Sequence, residues 1–345
     1  MQSDDDEGPM DQLNAHLDRG WDLVSRGDLA GALRSAERSL EIDGESPEAH
    51  NLIGYVHMLE GHAEKALEHY QQALELDDLY LDAILHAAEA HLQLGEHAAA
   101  LRMCDEALEL VETDEETVDA LLLKVDILLS AGDRAGAAAV VAELPDGPFD
   151  PPQLTYLVGK AKYEVGDLES AEPLLREGIE RDPENADAHY YLALLLEQKQ
   201  DPRSATLEFL RTRQCDARVP EPAWSLPREH FERRIQLALR RLPRVVADKL
   251  EDTLVVAADL PGVEVVAEGV DPRTSVLVDD LADGDGVRRI VRIYVYQRNV
   301  ERFAGSPTGV TDEILHAIER EVAHVHADVA AALPADDEED DTRMN

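Results

Sequence analysis

One alanine position recurs at a nearly constant interval along the first two thirds of this chain. Its copies are separated by 34, 34, 37, 34 and 34 residues, and they are Ala32, Ala66, Ala100, Ala137, Ala171 and Ala205. A period of this length is typical of stacked helical hairpins, each too small to bury its apolar face alone. The spacing therefore predicts an array of similar units and excludes a single globular core for this region.

Residues 48–78 show what one unit contains. Two amphipathic helical patterns flank a turn at residues 60–62, with Gly54 in the first pattern and Ala66 in the second. Small residues there let two antiparallel helices approach closely, and Tyr70 fills the next turn. These positions resemble those of a tetratricopeptide repeat. The resemblance implies a mainly α chain with an α-α superhelical array.

Composition and pattern divide the chain into five segments. We expect a disordered acidic leader over 1–11, six tetratricopeptide-like repeats over 12–216, a Pro-rich linker over 217–228, an α+β domain over 229–333 and a disordered acidic tail over 334–345. In the α+β domain the patterns predict a helix from Phe231, strands at 254–257, 275–278 and 290–296, an acidic loop over 279–286, and a last helix over 311–332. The fold class is thus mainly α, with a small α+β domain at the end.

The formal net charge of −42 limits the partners. Nucleic acid and anionic membrane surfaces would both be repelled, so we expect neither. The acidic start does not resemble a secretory signal, and no apolar run reaches the length that spans a bilayer. We therefore expect a cytoplasmic protein.

Ligands of tetratricopeptide arrays usually lie along the concave face, which the first helices form. Carrying the family's positions onto this chain predicts a peptide-binding groove with Trp21, Tyr55, Tyr156, Lys160, Tyr163 and Tyr190. Leucines and carboxylates lie between them: Leu85, Leu92, Leu122, Leu129, Asp82, Glu89, Asp119, Asp126, Glu164, Asp187 and Glu197. Such a surface suits a protein or peptide segment that is apolar and carries Lys or Arg. The alternative is that the tyrosines only pack between repeats.

Residues 231–329 resemble the minimal metalloprotease-like, zincin-like domain of bacteria. The resemblance is carried by Leu242-Pro243 and the valine strand after it, by segments 270–273 and 296–302, and by Arg320-Glu321-Val322-Ala323-His324 in the last helix. In that family this helix carries His-Glu-x-x-His, whose two histidines bind Zn²⁺ while the glutamate acts as general base. Glu321 matches the base and His324 the second ligand. Arg320 stands at the first ligand position and cannot coordinate a cation.

His324 and Asp328, one helical turn apart, remain as candidate metal ligands. The resemblance then implies a pseudoenzyme with no bound cofactor, joined to a protein–protein interaction scaffold. One alternative is an active zinc metallopeptidase with an irregular ligand set, to which the repeats recruit substrate. Another is a structural cap for the array.

Contact between the array and the α+β domain is also expected. Arg233, Arg234, Arg240, Arg241 and Arg244 are predicted to face acidic residues of the array or solvent. Trp224, midway along the Pro-rich segment, is predicted to be buried between the two parts.

Overall fold

The computed structural model describes residues 9–145, 147–222, 224–282 and 288–332. The described residues up to Asp216 form helices that alternate with turns and short loops. They are α1 (Pro9–Ser25), α2 (Leu29–Ile42), α3 (Pro47–Leu59), α4 (Ala63–Leu76), α5 (Leu81–Gln93), α6 (His97–Leu108), α7 (Asp114–Ser130), α8 (Arg134–Val141), α9 (Pro152–Glu164), α10 (Leu168–Arg181), α11 (Ala186–Gln198) and α12 (Pro202–Asp216). Helix α1 begins at Pro9, inside the segment expected to be a leader; residues 1–8 and the expected tail lie outside the described residues.

The chain divides into two compact units, Met1–Ala171 and Glu172–Asn345. The division falls within helix α10 and not at the Pro-rich segment. The first unit therefore holds α1 to α9, and the second holds α11 and α12 together with everything that follows.

Close approach of paired helices explains the small residues of the repeat. A Cβ atom added to Gly54 would lie 2.5 Å from the Tyr70 ring, and one added to Gly20 would lie 2.4 Å from Leu52. Tyr70 and Leu52 are both fully buried, so a larger side chain at either glycine requires these neighbours to shift within a packed core.

Each hairpin turn needs a residue with left-handed backbone. Glycine supplies it in five repeats, with φ between 72° and 91°, at Gly27, Gly61, Gly95, Gly132 and Gly166. In the sixth repeat Gln200 takes the same conformation, with φ of 62°. The Asp201-Pro202 turn thus copies the backbone of the others without their glycine.

After α12 the chain forms an α+β part. Its elements are α13 (Arg228–Arg241), α14 (Arg244–Ala247) with a 3-10 turn at Asp248–Leu250, β1 (Leu254–Ala258), α15 (Val263–Ala267), β2 (Val276–Ala282), β3 (Arg288–Tyr296), α16 (Gln297–Ala304), α17 (Val310–Val325) and α18 (Ala327–Ala330). The three strand predictions are confirmed. The expected acidic loop is partly wrong, because residues 279–282 continue β2; residues 283–287 lie outside the described part. The last helix ends earlier than predicted, at Val325.

Strand β3 is central in the sheet, parallel to β1 and antiparallel to β2. Its inward residues Ile290, Ile293 and Val295 are buried in a core shared with α13 and α17. Phe231 and Ile314 are fully buried there. The helices cover one face of the sheet, as an α+β layer arrangement requires.

Within the second unit, a buried ion cluster joins the last helical hairpin to the α+β part. Asp216, at the end of α12, is only 3% exposed. Arg273 Nε donates to its Oδ2 at 3.0 Å, and Arg302 Nη2 donates to its Oδ1 at 2.6 Å. Arg273 also pairs with Asp187 of α11 at 2.6 Å. We call these four residues the Asp216 cluster.

Hydrogen bonds around the cluster complete it. The guanidinium of Arg273 lies 4.5 Å from the centroid of the Tyr190 ring, and the Tyr190 hydroxyl donates to Asp271 Oδ2 at 2.8 Å. Arg298 Nη1 donates to the backbone oxygen of Asp216 at 2.8 Å. Burial alone would lower the pKa of Arg273, but Asp216 and Asp187 outweigh that effect and raise it. The charged form of Arg273 is therefore stabilised.

The contact differs from the one expected from sequence. Trp224 is half-buried and packs against the core of the α+β part. The segment that holds it is fixed by buried Glu301, which accepts from Ser225 Oγ at 2.7 Å and from the Leu226 amide at 2.9 Å. Arg241 of α13 pairs with Asp312 of α17 at 2.6 Å.

The other arginines of that segment do not join the ion cluster either. Arg234 donates to Thr311 at 3.4 Å, while Arg233, Arg240 and Arg244 are exposed. These three arginines therefore match the second alternative of the prediction, that they face solvent. Among the described residues, no helix is both long and apolar enough to cross a bilayer.

Candidate functional site: an acidic groove on three first helices

The first helices of three successive repeats line one cavity of about 330 Å³. Each contributes a stripe with i, i+3, i+4, i+7 spacing, which places its members on one helical face. The lining residues are Asp82, Leu85, His86 and Glu89 of α5, Asp119, Leu122, Leu123 and Asp126 of α7, and Leu157, Lys160, Ala161 and Glu164 of α9. We call this surface the acidic groove.

Carboxylates stand at both ends of each stripe on α5 and α7, with leucines between them. Asp82, Glu89 and Asp119 are exposed to solvent and Asp126 is half-buried. In the described part of the chain, no Lys or Arg lies within salt-bridge distance of these four carboxylates. The groove therefore presents negative charge beside apolar surface.

The crowding of these carboxylates changes their acidity. The side chain of Glu89 is open to solvent on one side, but the concave wall removes much of its water; this desolvation, followed by the charges of Asp126 and Asp119, raises the pKa of Glu89 to about 7. Burial also raises the pKa of Asp126, and Lys160 opposes this. The pKa of Asp119 is raised by burial and then by Asp82. The raised pKa values mean that the groove destabilises the charged form of these carboxylates. A bound cation would stabilise that charged form.

Lys160 is the one lysine or arginine among the described residues of the groove wall. Its side chain is buried along α9 and its Nζ lies 3.7 Å from Glu164 Oε1, one helical turn away. One ammonium cannot neutralise the carboxylates on α5 and α7 as well. The net charge of the wall therefore stays negative.

An aromatic row leads to one end of the acidic groove. The Trp21 and Tyr55 rings have centroids 5.2 Å apart, and Tyr55 and His86 are 4.9 Å apart. His86 Nδ1 lies 2.8 Å from Oδ1 of buried Asn51, which fixes the imidazole. Trp21 and Tyr55 are half-buried, so part of each ring is open to solvent.

The remaining residues of the predicted groove lie elsewhere. Tyr156 is buried on α9, Tyr163 is half-buried, and neither lines the cavity. Tyr190 is buried in the second unit, where it contacts Asp271 and Arg273. Of the residues predicted as the site, Lys160 lies in the wall, and Trp21 and Tyr55 form the row beside it.

Sequence reasoning missed four wall residues: His86, Leu123, Leu157 and Ala161. On α5 and α7 the missed residue is the i+4 member of a stripe whose other members were predicted. A full helical period applied to Asp82 and Asp119 would have included His86 and Leu123.

The motif of helix α17 lies partly on the protein surface. Arg320 and His324 are exposed, and Glu321 is half-buried. Burial raises the pKa of Glu321, while His324 and Arg320 oppose this rise. Asp328 pairs with Lys249 Nζ at 2.7 Å. Within the described residues, no group of three neighbouring His, Cys, Asp or Glu ligand atoms includes His324 or Asp328.

Comparison with known proteins bears on the helical part of the chain. The tetratricopeptide repeat family matches residues 47–80, 85–151 and 156–218. Bovine tetratricopeptide repeat protein 4 is 28% identical over 136 residues, which cover 38% of this chain and 34% of that protein. The chain thus matches about a third of the length of that relative.

A solved structure supports the same fold. The structure of Pseudomonas aeruginosa pilF superposes with a TM-score of 0.50 at 17% identity, covering 61% of this chain and 95% of that one. At this identity the likeness concerns the fold alone. With the helical hairpins, their period and the family matches, it shows that the helical part of this chain is a tetratricopeptide repeat array.

Proposed function

We propose that this protein is an interaction scaffold whose acidic groove binds a peptide segment with Lys or Arg beside apolar residues. Tetratricopeptide repeats indicate protein or peptide binding in general. The observation that carries the finer proposal is the set of four carboxylates, Asp82, Glu89, Asp119 and Asp126, on an accessible wall with leucines and a single lysine.

The layout suits an extended ligand. A basic side chain between α5 and α7 would pair with Glu89 and Asp126, and its neighbours would pack on Leu85 and Leu122. An apolar or aromatic residue of the same ligand would reach the row of Trp21, Tyr55 and His86. Aromatic side chains anchor such contacts because they bury much area and lose little conformational entropy.

Fluorescence anisotropy with labelled peptides of matched length tests this proposal. Lys/Leu and Arg/Leu peptides should bind, while Glu/Leu peptides should not. The double variant Glu89→Gln, Asp126→Asn should weaken binding more than tenfold, since a hydrogen bond to a charged group contributes roughly 1.5–3 kcal/mol. The matched control is Glu64→Gln, Glu75→Gln on exposed positions of α4, which changes the net charge equally.

Equal weakening by the two double variants would show that total charge alone attracts the peptide, and the groove proposal would fail. The pH dependence gives a second test. Binding should weaken as pH falls from 8 to 6, because Glu89 takes up a proton near pH 7 and loses its charge.

For the α+β part we propose a role without peptidase activity. Its resemblance to zincin-like domains rests on the sequence alone, and Arg320 stands where that family has its first metal ligand. Zinc bound by the wild type and lost on His324→Ala would overturn this proposal, as would hydrolysis of peptides that Glu321→Gln abolishes. If the resemblance reflects a lost site, Arg320→His should create zinc binding that depends on His324.

A further inference from the structure

Four of the chain's thirteen histidines lie on the second repeat: His57 and His62 flank the turn between α3 and α4, and His50 and His69 lie further along these helices. His57 Nδ1 lies 3.3 Å from Glu60 Oε2, and His62 Nδ1 lies 3.5 Å from the same oxygen. The ligand atoms of these three residues all lie within 4.8 Å of one another. His69 stacks on His57 with ring centroids 5.7 Å apart, and His50 Nδ1 lies 3.4 Å from His69 Nδ1.

The backbone brings the three donors together. Glu60 follows His57 by three residues, so both side chains lie on one face at the end of α3. Gly61 then reverses the chain with φ of 76°, and His62 stands at the N-cap of α4. The His62 side chain makes no capping hydrogen bond there. In the first, fourth and sixth repeats Asp28, Asp133 and Asp201 cap the following helix at the same position.

The other repeats lack this combination. The three positions hold Leu23, Arg26 and Asp28 in the first repeat, His91, Leu94 and Glu96 in the third, Leu128, Ala131 and Asp133 in the fourth, Lys162, Val165 and Asp167 in the fifth, and Leu196, Lys199 and Asp201 in the sixth. The third repeat therefore has two donors, with His91 Nδ1 2.6 Å from Glu96 Oε2, and no third. It provides a natural control inside the same chain.

The spacing of the donors matches that of a tetrahedral metal site. Zn–N and Zn–O distances of 2.0–2.2 Å place neighbouring ligand atoms about 3.3–3.6 Å apart around a tetrahedron. Both contacts of Glu60 fall in that range. The His62 side chain is half exposed and so has room to rotate toward His57, which would shorten the third edge. Two imidazoles, one carboxylate and one water make a donor set that zinc uses in proteins.

We propose that His57, Glu60 and His62 bind one divalent transition-metal ion of the zinc class, with water at the fourth position. The ion would occupy the space between Glu60 Oε2 and the two imidazole Nδ1 atoms, and each neutral imidazole would carry its ring proton on Nε2. The bound ion would connect the end of α3 to the start of α4. It is separate from the motif of α17 and does not depend on the acidic groove.

Isothermal titration of the full chain with Zn²⁺ tests this proposal, in excess Mg²⁺ to occupy sites made only of carboxylates. We expect one strong site that the variants His57→Gln and His62→Asn each weaken more than about tenfold, since even partners outside the ligand shell contribute 10–100-fold. Asparagine is a good N-cap, so His62→Asn keeps helix α4 capped. His91→Gln in the third repeat should change nothing.

The visible spectrum of bound Co²⁺ supplies a second readout, because it reports the coordination geometry of the ion. The wild type and His91→Gln should show the intense visible bands of tetrahedral Co²⁺, and His62→Asn should lose them. Zinc binding that His57→Gln and His62→Asn leave unchanged would overturn the proposal. So would strong binding abolished by His324→Ala, which would place the ion on α17 instead.

Discussion

Carboxylates of the acidic groove and the carboxylate of Asp216 occupy opposite kinds of surroundings. Asp216 is buried, and two arginines donate to its side-chain oxygens. Glu89 and Asp119 stand on an accessible wall, and their neighbours include other carboxylates. The first arrangement satisfies its charge inside the protein, while the second leaves charge to be satisfied by something else. Buried paired charge therefore supports the fold here, while crowded accessible charge is the basis of the binding surface that we propose.

Stability can be measured for each unit separately, because the chain has two tryptophans and each unit holds one. Trp21 packs in the core of the first repeats, and Trp224 packs against the α+β core. The variant Trp21→Phe makes fluorescence report on the second unit, and Trp224→Phe makes it report on the first. Denaturant unfolding of variants in these two backgrounds then gives an unfolding free energy for each unit.

Breaking the paired site should have the largest effect. Arg273→Met removes the guanidinium that contacts Asp216 and Asp187, and it leaves the buried Asp216 with fewer donors. We expect the second unit to lose about 3–5 kcal/mol of unfolding free energy, as is usual when one partner of a buried ion pair is removed. Unfolding followed by Trp224 fluorescence measures it.

The double variant Arg273→Met, Asp216→Asn is the control for that effect. It should be less destabilised than the sum of the two single variants, because the uncompensated charge is gone. A loss below about 1 kcal/mol for Arg273→Met would contradict the view that the pair is needed to hold Asp216 in place.

Removing charge from the groove should act in the opposite direction. Glu89→Gln relieves repulsion from Asp126 and Asp119. At pH 8 we expect the first unit to gain about 1 kcal/mol, a value reduced for solvent screening because the side chain is exposed. Unfolding followed by Trp21 fluorescence measures it. A loss of stability would mean that Glu89 supports the fold, and the contrast with Asp216 would fail.

The gain from Glu89→Gln should vanish on acidification. The folded-state pKa of Glu89 is raised to about 7 from 4.5. The folded wild type therefore takes up a proton before the unfolded chain does, and its stability relative to the variant rises as pH falls from 8 to 5. We expect the difference of about 1 kcal/mol to approach zero by pH 5.

Comparison with the variant is necessary because histidines act in the opposite sense. Burial lowers the pKa of His50, His69 and His86, so their unfolded forms take up protons first and acid destabilises the fold. These contributions are the same in wild type and Glu89→Gln and cancel in the difference. A difference that stays constant between pH 8 and pH 5 would show that Glu89 has an ordinary pKa.

The smallest effect should come from an exposed pair. Arg218 Nη1 donates to Glu184 Oε1 at 2.7 Å, but the two side chains are 55% and 64% exposed. Arg218→Ala should change the second unit by less than about 0.5 kcal/mol, because exposed ion pairs contribute little. A loss comparable to that of Arg273→Met would show that burial is not what separates these pairs.

Local pattern was sufficient to predict the repeats and the strands. The alanine period and the turn glycines specify each hairpin, and the β-branched run 290–296 specifies the central strand. The acidic character of the groove followed from the same period, since Glu89 and Asp126 occupy equivalent helical faces.

Contacts between distant residues could not be predicted in this way. Asp216 and Arg273 are 57 residues apart, and no periodicity relates them. The tyrosines show the same limit, because Tyr55 and Tyr190 both lie on first helices but one faces solvent in part and the other is buried. Whether a side chain is buried depends on which other element packs against its helix. The sequence pattern of that helix alone does not carry this information.

The Asp216 cluster also bears on how this array can change its length. Repeat arrays grow by duplicating a hairpin, which works where every hairpin offers the same surface to the next. The last hairpin offers a different surface, because Asp187, Tyr190 and Asp216 contact Arg273 and Asp271 of the α+β part. The preceding hairpin has Gln153 and Asp182 at two of these places. A chain that lost α11 and α12 would place Gln153 where Arg273 has Asp187, so loss of a repeat should be tolerated better before α11.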